Sequence, residues 1–171
     1  TEVSALAVAD FLTDKGADVR IKWPNDIYVR DRKICGMLIE NSLRGDEVAT
    51  SIVGIGINLN QRDFPAELAN PTSLAIATGK EIGPKEALED FLPFFLMRLE
   101  MSLTTEGRAE MRNDYLDILY RKDKPFPYRD NVTGEEFTGT IKGISDIGEL
   151  LAEMPDKSIK SFSFKEIGYI I

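Results

Sequence analysis

The sequence predicts a mixed α/β (α+β) domain followed by a small antiparallel β-barrel, and three observations carry that expectation. An apolar stretch of helical spacing over residues 3–15 leads directly into an alternating strand over 19–23. Two longer helical patterns come later, opened by Pro84 and by Thr105. Beyond Lys122 the texture turns to short β-rich runs broken by Gly134, Gly148 and Pro155. The domains are therefore placed at 1–122 and 123–171.

In the first helix Val8, Phe11 and Leu12 share a face, and Gly16 is placed to end it. In the next strand Val19, Ile21 and Trp23 oppose Arg20 and Lys22, so both cations project from one face. Pro24, Asn25 and Asp26 form a turn. Residues 27–30 and 33–40 then pair as a hairpin closed around Asp31 and Arg32. Simple alternation groups the Lys33 side chain with Cys35 and Met37, away from Gly36.

Residues 41–47 are polar and are expected as a loop. Residues 50–59 are nearly continuous in apolar character and are expected as a strand deep in a sheet. Gly54 and Gly56 interrupt it on one face, a pattern that marks close approach of another backbone or a ligand.

A short helix is expected over 71–79. The helix from Pro84 should turn Leu88, Phe91, Leu92, Phe95, Leu96 and Leu99 inward and kink at Pro93. Its successor, capped by Thr105, should bury Met111, Tyr115, Leu116 and Leu119. Strands are expected over 137–144, 150–154 and 159–164.

Composition narrows the chemistry. The 171 residues are 43% hydrophobic and 29% charged, a globular profile. No apolar run reaches the roughly 20 residues that span a bilayer, and residues 1–4 do not resemble a signal peptide, so no membrane association and a cytoplasmic location are expected. The single cysteine, Cys35, agrees with a reducing compartment. A net charge of −8 argues against nucleic acid as a partner. Locally, Arg20, Lys22, Arg30, Arg32 and Lys33 against Asp26 and Asp31 make residues 20–33 a +3 patch, suited to a small anionic ligand.

With no histidine, a Ser-His-Asp triad and an imidazole zinc site are excluded, and no protein-held metal is expected. What remains for catalysis is lysine, arginine, carboxylates, amides, backbone groups or a weakly held metal, a set that suits reactions whose main demand is charge neutralisation, such as nucleotidyl transfer. Taken singly, each residue has an ordinary explanation: Lys22 and Lys33 as solvated cations, Trp23 as core, Asn25 and Asp26 as turn formers, Cys35 as an inert thiol.

Together and in order they are more specific. Lys22-Trp23-Pro24-Asn25-Asp26 is followed by Lys33-x-x-Gly36-x-Leu38-x-Glu40, then by Gly54-x-Gly56-x-Asn58. This series resembles the signature of biotin–protein ligases. The likeness continues at pattern level through Thr72-Ser73-Leu74, Thr78-Gly79 and the β-rich tail.

The resemblance implies a class II aminoacyl-tRNA-synthetase-like catalytic domain followed by an SH3-like barrel. It implies biotin and ATP as substrates, Mg2+ accompanying ATP, and a biotin carboxyl carrier protein as partner, with a homodimer left open. Lys33 would meet the biotin carboxylate and the reacting α-phosphate. Lys22, Asn25 and Asn58 would bind the nucleotide, with Asp26 orienting the lysines or lying near magnesium. Gly36, Leu38, Gly54 and Ile57 would line the biotin pocket.

The family's Gly-Arg-Gly loop, which lies upstream of the first long helix and closes over biotin, has no match here. The resemblance therefore implies an N-terminally truncated chain, expected to be incompetent alone. Two alternatives stand beside it: a lipoate-type ligase, and a non-catalytic module that docks a carrier domain. The Lys-Trp-Pro-Asn-Asp spelling and the glycine pair favour biotin over lipoate.

Overall fold

A computed structural model of the chain describes residues 1–45 and 47–171. It is a mixed α and β structure with two antiparallel sheets, divided into two compact units, Thr1–Ile118 and Leu119–Ile171.

The first unit opens with helix α1 (Glu2–Asp14). Residues 4–9, Phe11 and Leu12 of this helix are all buried. A helix that is apolar nearly all round must be covered on several sides. Here β1 (Val19–Lys22) and β2 (Asp26–Val29) pack on one side, with α3 (Pro84–Met101) and α4 (Thr105–Asp117) on others. Gly16, at φ +97°, ends α1 as expected.

The sheet is a meander in the order β1-β2-β3-β4, with β3 over Arg32–Arg44 and β4 over Glu47–Ile57. The hairpin between β2 and β3 turns at Arg30 and Asp31, one residue earlier than expected, because Val29 faces Arg32. Arg30 takes the left-handed conformation at φ 54° that this tight turn needs.

The expected loop over 41–47 is instead a continuation of β3 and β4, with Gly45 turning the chain at φ +63°; Asp46 lies outside the described residues. The polar composition arises because this arm is open to solvent: Asn41, Ser42 and Thr50 are exposed. β4 is the edge of the sheet rather than a deep strand, and Val48 and Ile52 are 59% and 64% exposed.

A short helix α2 (Leu74–Thr78) is capped by Ser73, whose Oγ accepts from the Ile76 N–H at 3.2 Å, and it ends on left-handed Gly79. Helix α3 runs on through Pro93, but its inward face is not the leucine face. Ala87 and Arg98 are buried, whereas Leu88, Leu92, Leu96 and Leu99 are exposed. The inward stripe is chosen by Arg98, whose guanidinium reaches Asp10 of α1 at 2.7 and 3.1 Å and Asp114 of α4 at 2.5 Å. The N-cap of α4 is Thr104, one residue before the expected Thr105; its Oγ1 accepts from the Gly107 N–H at 3.0 Å. Met111 and Tyr115 are buried as expected.

The second unit holds β5 (Pro125–Asp130), β6 (Glu136–Ile144), β7 (Leu150–Glu153), β8 (Ile159–Phe162) and β9 (Ile167–Tyr169). They form one antiparallel sheet in the order β8-β7-β6-β5-β9. The expected closed barrel is not found: among the described residues the ladder stays open, with β8 and β9 as its two edges. Tyr128, Ile141, Leu150 and Phe162 form its core, and the Phe137 and Phe162 rings stack at 5.7 Å. No helix among the described residues is long and apolar enough to cross a membrane.

Candidate functional site

The strand registers decide which side chains meet. Lys22 faces Asp26, Asp26 faces Gly36, Gly36 faces Gly56 and Leu38 faces Gly54. Directly opposed residues in an antiparallel pair share a face. One face of the sheet therefore carries Lys22, Asp26, Gly36, Leu38, Gly54 and Gly56. The other carries Ile27, Cys35, Met37, Ile55 and Ile57.

Lys33 joins the first face, contrary to simple alternation. Ile27 faces Cys35 but Tyr28 faces Lys33, so Ile34 is an extra residue, a β-bulge in β3. The bulge reverses the parity of everything before it and brings Lys33 beside Asp26 and Gly36. The Lys33 ammonium lies 2.6 Å from Asp26 Oδ1, while Lys22 Nζ stands 3.9 Å from Asp26 Oδ2. Lys22 also sits over the Tyr28 ring, 5.0 Å from its centroid. Two cations around one carboxylate leave a local excess of one positive charge.

The backbone beneath Lys33 is clamped. Its N–H donates to the Asn70 carbonyl at 2.8 Å and its carbonyl accepts from the Thr72 N–H at 2.8 Å. The Asn70 side-chain amide donates to the Asp31 carbonyl at 2.7 Å, holding the adjacent turn.

Asn58 ties this segment to the bulge. Its N–H donates to Ile34 at 2.9 Å and its Nδ2 donates to Thr72 at 2.9 Å, while its carbonyl accepts from Leu74 at 3.0 Å. Asn25 plays a similar part against β3: its Nδ2 donates to the Met37 carbonyl at 2.5 Å, and its own carbonyl accepts from the Met37 N–H at 2.9 Å. The part played by Asn70 is not visible in the sequence, where it reads as one more polar residue before a proline.

Two hollows meet at Lys33. An open groove of about 510 Å³ runs along Asn25, Asp26, Leu38 and Gly54; a second hollow of about 280 Å³ is walled by Asn58 and residues 68–71. Lys33, Gly36 and Gly56 border both. A β-carbon built on Gly54 or Gly56 would meet nothing nearer than 3.9 or 3.7 Å. The fold itself therefore does not require glycine there, and the space above the strand is kept open.

Ile57 does not belong to this group. It lines a separate cavity of about 330 Å³ with Phe11 and Phe91 on the opposite face. Cys35 is buried, and burial, reinforced by the Asp26 charge, pushes its thiol up to about 12, so it is no nucleophile near neutral pH. Among the described residues no group of three or more Cys, Asp or Glu side chains converges as a metal site.

Residues 1–58 match the model of the biotin/lipoate A/B protein ligase family. The chain is 34% identical over 160 residues to a biotin–[acetyl-CoA-carboxylase] ligase of Paracoccus denitrificans, covering 90% of this chain and 65% of the relative. It is 34% identical over 167 residues to the bifunctional ligase/repressor BirA of Bacillus subtilis, covering 95% of this chain and 50% of the relative. The chain thus spans between half and two thirds of the length of these relatives. Among solved structures, biotin protein ligase from Aquifex aeolicus in its apo form superposes with a TM-score of 0.77 at 28% identity, covering 98% of this chain and 72% of that one. The same ligase in complex with biotin and ATP gives 0.76 at 27% identity, covering 98% and 68%.

Proposed function

The chain belongs to the biotin protein ligase family, and from that premise we propose that it serves the ATP-dependent attachment of biotin to a lysine of a biotin carboxyl carrier protein. In the first step a biotin carboxylate oxygen attacks the α-phosphorus of ATP, and pyrophosphate leaves. In the second, the carrier lysine amine attacks the acyl carbonyl of biotinyl-AMP, and AMP leaves.

The observation that carries this reading is the Lys33 ammonium, held 2.6 Å from Asp26 where two hollows meet. Two anionic reactants repel one another, and a fixed cation between them offsets that repulsion most where charge builds on the phosphorus. On this reading Lys33 neutralises the carboxylate and the α-phosphate. Lys22, Asn25 and Asn58 bind the nucleotide, and Asp26 orients both lysines. Magnesium enters with ATP as part of that substrate.

Gly36, Leu38 and Gly54 line the groove for biotin; Ile57 supports the strand from behind. The first unit then corresponds to a class II aminoacyl-tRNA-synthetase-like domain and the second to an opened SH3-like sheet. A lipoate-type substrate is separated by competition between the two acids for one site.

Biotin-dependent exchange of pyrophosphate into ATP, measured with a segment carrying the family's Gly-Arg-Gly loop joined upstream of Thr1, tests the proposal. Lys33→Met keeps most of the stem and removes the charge, and should slow exchange by about 100-fold, the scale of losing one preorganised electrostatic contact. Near-normal exchange by that variant would remove Lys33 from the central role.

A further inference from the structure

Gly36 stands on the same face as Gly54 and Gly56, but its surroundings are different. A β-carbon built on Gly36 would lie 2.9 Å from Lys33 Cε, 2.9 Å from Lys33 Nζ and 3.5 Å from Asp26 Oδ1. No backbone atom is among those three nearest neighbours, and Gly36 does not take a left-handed φ. Neither chain conformation nor main-chain packing explains a glycine at this point. What occupies the space is the end of the Lys33 side chain.

We propose that Gly36 is a positioning residue for Lys33: the bare backbone is the seat on which the ammonium rests against Asp26. The Lys33 main chain cannot shift to make room, because its N–H and carbonyl are bound to residues 70 and 72. A methyl group at position 36 must therefore be met by the side chain. Swinging the flexible end of a lysine costs the fold little, and alanine replaces glycine in a strand at no conformational disadvantage. The 2.6 Å contact with Asp26 does not survive, and the cation leaves the junction of the two hollows. Gly36 thus borders the biotin groove, but its effect on the reaction runs through Lys33. The functional part of this inference rests on the role given to Lys33 above.

Gly36→Ala separates stability from chemistry, and two measurements decide the matter: a crystal structure of the 171-residue chain, and exchange kinetics with a segment carrying the family's Gly-Arg-Gly loop joined upstream of Thr1. A crystal structure of Gly36→Ala should show Lys33 Nζ moved out of hydrogen-bond range of Asp26, with β3 unchanged. In a double-mutant cycle, Gly36→Ala should slow biotin-dependent pyrophosphate exchange by about 100-fold beside an intact Lys33. It should have no further effect in a Lys33→Met background, because both changes remove the same contact.

A Gly36→Ala structure with Lys33 still on Asp26 would overturn the seat. So would full additivity in the cycle, which would show glycine acting on the ligand directly. Absence of exchange by the unsubstituted protein with the loop segment joined upstream would count against the ligase reading alone, and the crystal structure would still decide the seat.

Discussion

Lys33 and Asp26 are not opposed in the ladder, yet the lysine ammonium lies 2.6 Å from the Asp26 carboxylate. Lys33 faces Tyr28 and Asp26 faces Gly36; the extra residue Ile34 closes the diagonal between them. Asp26→Asn keeps the shape and removes the charge that anchors both lysines. Misplacement of a reacting group by about 1 Å can cost about 100-fold in rate, so exchange should fall on that scale while far-ultraviolet circular dichroism stays unchanged. An unaltered rate would mean that the carboxylate does not place the cation.

Gly56 offers the complementary test, since open space rather than a side chain lies above it. Gly56→Val should melt no lower than the unsubstituted chain, because a β-branched residue suits a strand. Biotin-dependent exchange should nevertheless drop at least about ten-fold, roughly the effect of 1.4 kcal/mol of lost ligand contact. Retained biotin dependence would assign the open groove to something else.

Arg98 is predicted to matter for stability alone. Its guanidinium is buried, and hydrogen bonds to Asp10 and Asp114 raise its pKa, so it stays charged at any working pH. Arg98→Met strands two carboxylates among three helices. Breaking a buried pair costs about 3–5 kcal/mol; because both aspartates are partly exposed, about 2–3 kcal/mol is expected from urea unfolding. A change below about 0.5 kcal/mol, the range of ordinary surface substitutions, would contradict the network.

Cys35 predicts an alkaline limit. Its thiol is held protonated up to about 12 in the folded chain, against an ordinary value of 9.0 once unfolded. The unfolded chain thus loses this proton first, and stability should fall as pH rises from about 9 towards 12, whereas below 9 the group contributes no pH dependence. Cys35→Ala should remove that part of the slope. In the native chain at pH 8, iodoacetamide should label Cys35 only as fast as the protein opens.

How much of this was legible beforehand depended on how local the cause was. The face shared by Arg20 and Lys22 follows from alternation, and the Gly79 stop follows from its own backbone freedom. The side of the sheet on which Lys33 lies does not, because one inserted residue reverses parity and nothing in the spelling of residues 32–36 announces the bulge. Helical spacing places Phe91 of α3 correctly, against Phe11, but turns the exposed leucines inward, because spacing does not reveal that the buried Arg98 is held by partners on two other helices. β5 escaped notice because Pro125 and Pro127 speak against a strand. Both fall outside the part that pairs with β9, residues 128–130, where N–H groups are needed.

The placement of β4 also bears on how the protein should behave in the tube. An eleven-residue strand on the rim of a sheet offers a row of unsatisfied amides and carbonyls, and here Val48 and Ile52 add greasy side chains beside them. Such a rim templates addition of further strands, so turbidity during concentration should set in here before any thermal melting. Lysine at Val48 or Ile52, the device by which natural rims are kept from sticking, should postpone it without touching the groove around Lys33.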